Sequence, residues 1–192
     1  MSAGTLTRVT AKTAADICRR FTLDVEAKNL LDDRLTPKAY LDLLIEKGQL
    51  TDAIRVLAYG LPKPEAVWWA CQCVRGLSGS PLPPPALAAV QAAEKWAADP
   101  SDDNRRACLK AGEAADFTTA AGCTALAAYW SGGTHAPPDA KLDPPAEDWT
   151  HHAAAGAVMM AALFPDPTKA PERFKKALDL GVQVGSGANK WK

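Results

Sequence analysis

The chain has little of what a β-protein or a nucleic-acid-binding protein needs. β-Branched residues are few and do not alternate with polar ones over a useful length, so there is no strand signal. The 22 basic and 22 acidic residues cancel to a formal net charge of zero. A neutral chain has no electrostatic attraction for nucleic acid or for an anionic membrane, so we expect neither as a partner.

Long hydrophobic runs are also missing. No window approaches the ~20 consecutive apolar residues that span a bilayer, and residues 1–10 lack the apolar core of a signal peptide. The cysteines form an odd set with irregular spacing, which favours buried free thiols over a disulfide framework; they are Cys18, Cys71, Cys73, Cys108 and Cys123. The sequence therefore predicts a soluble cytoplasmic protein without membrane insertion.

Helix signals recur along most of the chain. Thr36-Pro37 is a cap followed by proline at the first helical position, and Gly48 is a natural C-terminal residue for that helix. Helices are predicted over about 13–21, 26–33, 36–48, 49–59, 65–77, 86–98, 102–114, 117–131, 146–164 and from near 171. The predicted fold is all-α: one irregular bundle of about eight or nine helices, with hairpins in its N-terminal part that resemble those of TPR and HEAT proteins. No ~34-residue repeat recurs downstream, which argues against a true solenoid.

Irregular segments mark the predicted boundaries. Residues 1–12 are expected to be a flexible N-terminus and residues 185–192 a disordered tail, on either side of one domain over 13–184. Inside that domain lie a proline-rich connector near 78–85 and a long irregular segment over 132–145. Loops of that length in compact domains are usually functional or mobile.

The run from Glu65 to Arg75 places two adjacent tryptophans in one helical window. On a helical wheel at 100° per residue, Trp68 and Trp69 flank a broad apolar face on its two sides. This pattern predicts a helix at the centre of the domain, with neighbouring helices on three sides. We assign Trp68 to the core, and we leave open whether Trp69 is core or lines a groove. Arg75 is expected to stack on Trp68 or to pair with a carboxylate.

Three local patterns together resemble a bacterial helical family of unassigned function. They are the segment 65–75, the segment Tyr129-Trp130-Ser131-Gly132-Gly133 leading to Ala136-Pro137-Pro138, and the alanine-rich helix ending in 159–162. The resemblance spans roughly residues 13–182. Members of this family look like small accessory proteins encoded among type VI secretion components, and the resemblance supplies no catalytic motif to transfer.

Tryptophan and arginine are enriched at interface anchors, and a proline-rich loop loses little entropy on docking. The candidate partner-binding residues therefore lie on the tryptophan helix and on the long loop; they are Trp69, Glu65, Arg75, Trp130, Gly132, Gly133, Pro137 and Pro138. The predicted function is a non-enzymatic interaction or adaptor protein that serves a type VI secretion system. Its partner would be a protein, and its oligomeric state is left open.

Metal and catalytic chemistry find little support in the spacing of polar residues. Cys71 and Cys73 diverge by about 200° on a helix, and a pair such as Asp148 with His151 supplies two ligands where structural zinc needs four. We therefore predict no metal, no cofactor and no catalytic residue, with His151 and His152 as solvated helix residues. The alternative is a small enzyme with its site on the 132–148 loop and on the helix that bears the two histidines.

Overall fold

The computed structural model describes residues 5–132, 147–164 and 166–188, and within these ranges the chain is helical without a strand. The α-helices are α1 (Ala14–Cys18), α2 (Val25–Asn29), α3 (Pro37–Glu46), α4 (Leu50–Gly60), α5 (Lys63–Leu77), α6 (Pro84–Ala98), α7 (Asp102–Ala115), α8 (Ala120–Tyr129), α9 (Trp149–Leu163) and α10 (Ala170–Gly185). A short 3-10 turn, Pro167–Lys169, precedes α10. The all-α prediction is confirmed. The described ranges hold ten α-helices, one for each of the ten predicted segments, so the expected total of about eight or nine was too low.

Helix ends follow the local capping chemistry. The Thr36 hydroxyl accepts a hydrogen bond from the Ala39 amide at 3.2 Å, and Pro37 opens α3 as predicted. Gly48 follows α3 with a φ of 74°, a backbone angle that glycine adopts without strain. α8 begins later than predicted because the hydroxyl of Thr119 caps it, accepting from the Gly122 amide at 3.1 Å.

Two helices form the centre of the packing. α5 contacts α6, α8, α9 and α10, and α9 contacts α4, α5, α8 and α10. Nine of the fifteen α5 residues are buried. The prediction that the double-tryptophan helix is central is confirmed. α6 packs against α5, and α8 packs against both α5 and α9, while α7 packs on α6 and α8. α3 and α4 form the predicted hairpin.

The first described residues pack against the end of the chain. The Arg8 amide donates to the Gly185 carbonyl at 2.8 Å, and the Thr7 hydroxyl donates to the Ser186 carbonyl at 3.0 Å. Leu6 is buried against this end of α10, where a Cβ on Gly185 would lie 2.8 Å from a Leu6 methyl. The segment 5–12, for which the sequence predicted flexibility, is thus held by backbone hydrogen bonds and by one buried leucine.

Most of the predicted loop over 132–145 lies outside the described residues, and only Gly132 falls within them. The same holds for the end of the predicted tail, since the description stops at residue 188. None of the helices in the described ranges combines the length and the apolar character needed to cross a membrane.

Candidate functional site

The two adjacent tryptophans of α5 lie in different environments. Trp69 is fully buried, and its Nε1 donates a hydrogen bond to the Ala177 carbonyl at 2.7 Å. Gly181 of α10 makes room for the indole, since a Cβ there would lie 2.6 Å from Cε2 of Trp69. Trp68 is only half-buried against the core. The assignment of Trp68 to the core holds only in part, because its ring packs against the core but is half-buried. Of the two alternatives left open for Trp69, the core is the one observed and the groove was wrong, because α10 covers that side of α5.

The other two candidates on α5, Glu65 and Arg75, form ion pairs with other residues of the chain. Glu65 is 9% exposed and lies 3.8 Å from the Arg8 guanidinium. Arg75 donates two hydrogen bonds to Glu94, from Nε at 2.6 Å and from Nη2 at 2.8 Å. Of the two expectations for Arg75, stacking on Trp68 or pairing with a carboxylate, the pairing is observed. These ion pairs connect α5 to the N-terminal segment and to α6.

Only some of the candidate residues near the end of α8 lie within the described part of the chain. Trp130 is half-buried and contacts Trp149 edge-to-face, with ring centroids 5.2 Å apart. Gly132 is half-buried, whereas Gly133, Pro137 and Pro138 lie outside the described residues. The backbone before the loop is anchored by Lys63, whose Nζ donates to the Ser131 carbonyl at 2.9 Å.

A groove that the sequence did not indicate lies between the end of α5, the proline-rich connector, the α7–α8 turn and the end of α9. Its volume is about 640 Å³. Alanines form much of its lining, with Leu82, Met160 and Phe164 as the large apolar side chains. Phe164 is 64% exposed, which is unusual for a phenylalanine. We call this region the apolar groove.

The α7–α8 turn at the edge of this groove is tightly constrained. Asp116 adopts φ 65° and ψ 119°, a backbone conformation that is costly for a residue with a side chain. Its Oδ1 accepts from the amide and the hydroxyl of Thr118, at 2.9 and 2.8 Å. These hydrogen bonds hold the pKa of the Asp116 carboxyl below its usual range, so the groove edge carries a fixed negative charge.

A second polar constellation joins the start of α9 to the N-terminal part of the chain. Arg20 donates from Nε to Asp148 at 2.8 Å, from Nη1 to the Tyr59 carbonyl at 2.6 Å, and from Nη2 to Asp148. Nη2 also lies 3.1 Å from Nδ1 of His151. The other ring nitrogen, Nε2, lies 3.1 Å from the Leu61 carbonyl oxygen. Because a carbonyl only accepts, Nε2 carries the proton and Nδ1 accepts from Arg20.

His151 is therefore a buried, neutral residue. It is 5% exposed, and burial together with the positive charge of Arg20 lowers its pKa to about 4. The prediction of a solvated side chain was wrong for His151, because the helix start on which it lies packs against the junction of α4 and α5. His152, one residue on, is exposed as expected.

Next to this network lies a cavity of about 470 Å³, which we call the arginine cavity. Residues that follow α1 line one wall, the last turns of α4 a second and α9 a third; they are Arg20, Phe21, Thr22, Arg55, Tyr59, His152, Ala155, Gly156 and Met159. The rings of Phe21 and Tyr59 contact each other in a tilted arrangement, with centroids 4.7 Å apart and 39° between the ring planes. Spacing along the sequence could not indicate this cavity, since its walls come from three separate segments.

The five cysteines are free, four of them buried and Cys123 half-buried. Burial raises the pKa of the Cys18 and Cys108 thiols to about 12 and that of Cys123 to about 11. The prediction of mostly buried free thiols is confirmed. In the part of the chain that the structure describes, no three potential ligands from histidine, cysteine, aspartate and glutamate come together as a metal site.

The architecture defines an all-α protein with a helical core built on α5 and α9. A family model matches residues 40–185, well over half of the 192 residues, and its description is "Family of unknown function (DUF6931)". The chain belongs to this family. The match begins within α3, at Tyr40, and runs to the end of α10, so that α1 and α2 precede it. No curated protein and no solved structure matches the chain.

Proposed function

We propose that this chain is a non-enzymatic adaptor whose apolar groove receives an apolar segment of a protein partner, and that the partner belongs to a type VI secretion system. The observation that supports the adaptor function is the groove itself, which has a volume of about 640 Å³ and a lining that includes six alanines, Leu82 and Met160. Phe164, which also lines it, is 64% exposed. The choice of partner rests on the resemblance of the motifs at 65–75, 129–138 and 159–162 to accessory proteins encoded among secretion components.

The chemistry of the groove suggests what would enter it. Small side chains on its floor admit the large aliphatic or aromatic side chains of a partner, as in recognition of an amphipathic helix by a groove. The Asp116 carboxylate at the edge favours a lysine or arginine beside those apolar anchors, because opposite charges at an interface rim improve specificity and association rate. The strained Asp116 backbone supports a functional role for this turn, since such strain is concentrated at functional sites.

The alternative is an enzyme that uses the loop over 132–148 and the histidines of α9. The geometry of His151 favours the adaptor. Both of its ring nitrogens are already hydrogen-bonded, and its pKa of about 4 leaves it a poor proton acceptor near neutral pH. Asp148 is likewise engaged, since it accepts two hydrogen bonds from Arg20.

The experiment is capture of partners from the native host by the tagged chain, followed by binding measurements with each purified secretion component that is captured. Phe164→Asp introduces a charge into the groove, and we expect it to weaken the binary complex about tenfold or more. Val25→Asp is the matched control, since Val25 on α2 is 70% exposed but does not line the groove.

Equal affinities for the Phe164→Asp and Val25→Asp proteins would remove the groove from the interaction. Captured proteins that include no secretion component would refute the proposed partner and leave the adaptor function to be judged by the groove variants alone. Turnover of a substrate that disappears with His152→Ala, in a protein that still folds, would favour the enzyme.

A further inference from the structure

The arginine cavity has a chemical character distinct from that of the apolar groove. Among its described lining residues, three side chains are basic (Arg20, Arg55 and His152) and none is acidic. The carboxylates that pair with the two arginines are Asp148 for Arg20 and both Asp52 and Asp24 for Arg55, and they are not among these lining residues. The acidic partners thus stabilise the arginines without covering the wall that faces the cavity.

Arg20 is held in one orientation. Its guanidinium donates to Asp148 and to the Tyr59 carbonyl, contacts Nδ1 of His151, and lies over the Tyr59 ring with Cζ 5.4 Å from the centroid. A cation that is positioned before a ligand arrives loses little conformational entropy on binding. One face of the cavity is therefore preorganised.

Arg55 supplies unused donors. Among the described residues, Nη1 donates to Asp52 at 3.2 Å and lies 3.7 Å from Asp24, whereas Nε and Nη2 make no hydrogen bond. The planar guanidinium matches carboxylate and phosphate oxygens in a two-point geometry. The Tyr59 hydroxyl likewise makes no hydrogen bond to any residue that the structure describes. Burial and the negative charge of Asp148 raise the pKa of Tyr59, whereas Arg20 and Arg55 oppose that rise, so the phenol lies within the field of both cations and of one carboxylate.

Apart from Thr22, the remaining lining residues are apolar or aromatic. They are Phe21, whose ring contacts that of Tyr59, and Ala155, Gly156 and Met159 of α9. A volume of about 470 Å³ falls in the range of small-molecule sites. Aromatic and thioether groups favour a flat apolar body over a bare ion.

From this arrangement we propose that the arginine cavity binds a small organic anion, a carboxylate or phosphate ester attached to a planar apolar group. The anion lies between Arg55, His152 and the Tyr59 hydroxyl, and the planar group packs against Phe21 and Met159. This site does not depend on the adaptor function, since it shares no lining residue with the apolar groove.

The test uses the full chain and titrates it with benzoate, phenyl phosphate and inorganic phosphate at constant ionic strength, with affinity measured by calorimetry and by ligand-dependent thermal stabilisation. We expect saturable binding of at least one aryl anion, and weaker binding of inorganic phosphate. The difference between benzoate and phenyl phosphate identifies whether a carboxylate or a phosphate group is preferred.

Arg55→Gln is expected to reduce the affinity about tenfold or more, the usual effect of removing hydrogen bonds to a charged group. Arg75→Gln is the matched control, because its side chain is similarly exposed (37% against 32% for Arg55) and similarly ion-paired but does not line the cavity. If the Arg55→Gln protein fails to fold, His152→Ala provides a second variant at an exposed position. We expect this variant also to have a reduced affinity for the aryl anion.

Three results would overturn the proposal. The first is the absence of saturable binding for both aryl anions. The second is an equal loss of affinity in the Arg55→Gln and Arg75→Gln proteins, which would indicate that the anions bind through the general surface charge and not in the cavity. The third is inorganic phosphate binding as tightly as phenyl phosphate, because the apolar walls would then contribute nothing.

Discussion

At the scale of single residues, neighbouring side chains of the same type have different roles. Trp69 lies entirely within the core and hydrogen-bonds the Ala177 carbonyl, whereas Trp68 is only half-buried. The helical wheel places both rings beside the apolar face and does not distinguish them. The difference comes from α10, whose Gly181 leaves space for the Trp69 indole.

The first prediction concerns these two rings. Trp69→Ala is expected to lower the free energy of unfolding by about 3–5 kcal/mol, the cost of a large cavity in a packed core. Trp68→Ala is the internal control and should cost distinctly less, because its site is open to solvent and can relax. Urea unfolding of both variants measures the difference. Equal losses, or a larger loss at Trp68, would contradict the packing of α10 over Trp69.

At the scale of elements, the α7–α8 turn depends on glycine. A Cβ on Gly122 would lie 2.1 Å from the Asp116 carbonyl oxygen, and one on Gly112 would lie 3.2 Å from the Gly122 carbonyl oxygen. The two helices therefore approach with almost no space between their backbones. This close approach places Asp116 and Thr118 at the edge of the apolar groove.

We predict that Gly122→Ala destabilises the protein by at least about 1–3 kcal/mol, the usual cost of overpacking, since the clash is with backbone that cannot rotate away. Gly156→Ala is the control inside another helix. A Cβ there would meet only the Cys123 sulfur at 3.8 Å, so the better helix propensity of alanine should make that variant neutral or slightly more stable. Thermal unfolding compares them. A Gly122→Ala protein as stable as the wild type would rule out the close approach.

At the scale of the whole molecule, the hydrogen bonds of Arg20 and His151 connect segments that are distant in sequence. Arg20 follows α1, the Tyr59 and Leu61 carbonyls belong to the α4–α5 junction, and Asp148 and His151 belong to the start of α9. The network requires a neutral imidazole, because Nδ1 must accept from a cation. Acid should therefore weaken the junction of these segments.

The pH prediction follows from the His151 pKa of about 4 in the folded protein, against an ordinary value of about 6.5 in the unfolded chain. As the pH falls below about 6.5 the unfolded chain binds the proton first, so stability present above that pH is lost progressively down to about pH 4. Between about pH 7.5 and about pH 5 the loss from this group should be on the order of 2 kcal/mol. Urea unfolding at the two pH values measures it.

A variant comparison isolates this contribution from the charged groups that face His151, namely Arg20, Asp148 and Lys63. His151→Asn removes the titration and should reduce the difference between the two pH values, whereas His152→Gln should retain it. Asp52 acts in the opposite direction, since burial raises the pKa of its carboxyl, and it is present in every variant. An unchanged pH difference in His151→Asn would contradict the buried neutral state of His151.

The sequence alone predicts the fold class and most helix positions. Caps such as Thr36, helix ends such as Gly48 and the apolar period of α5 act within a few residues, so local chemistry decides them. It also indicated the buried thiols and the central position of α5.

The surfaces and cavities could not be predicted from the sequence, because they form where separate helices pack together. Whether Trp69 is buried, whether His151 is solvated, and where the apolar groove and the arginine cavity open all depend on which helices lie beside one another. Arg20, Arg55 and His152 are separated by more than thirty residues at each step and meet through the packing of α4 and α9. Periodicity reports which face of a helix is apolar, but not which neighbour covers it, because that choice is a property of the whole packed chain.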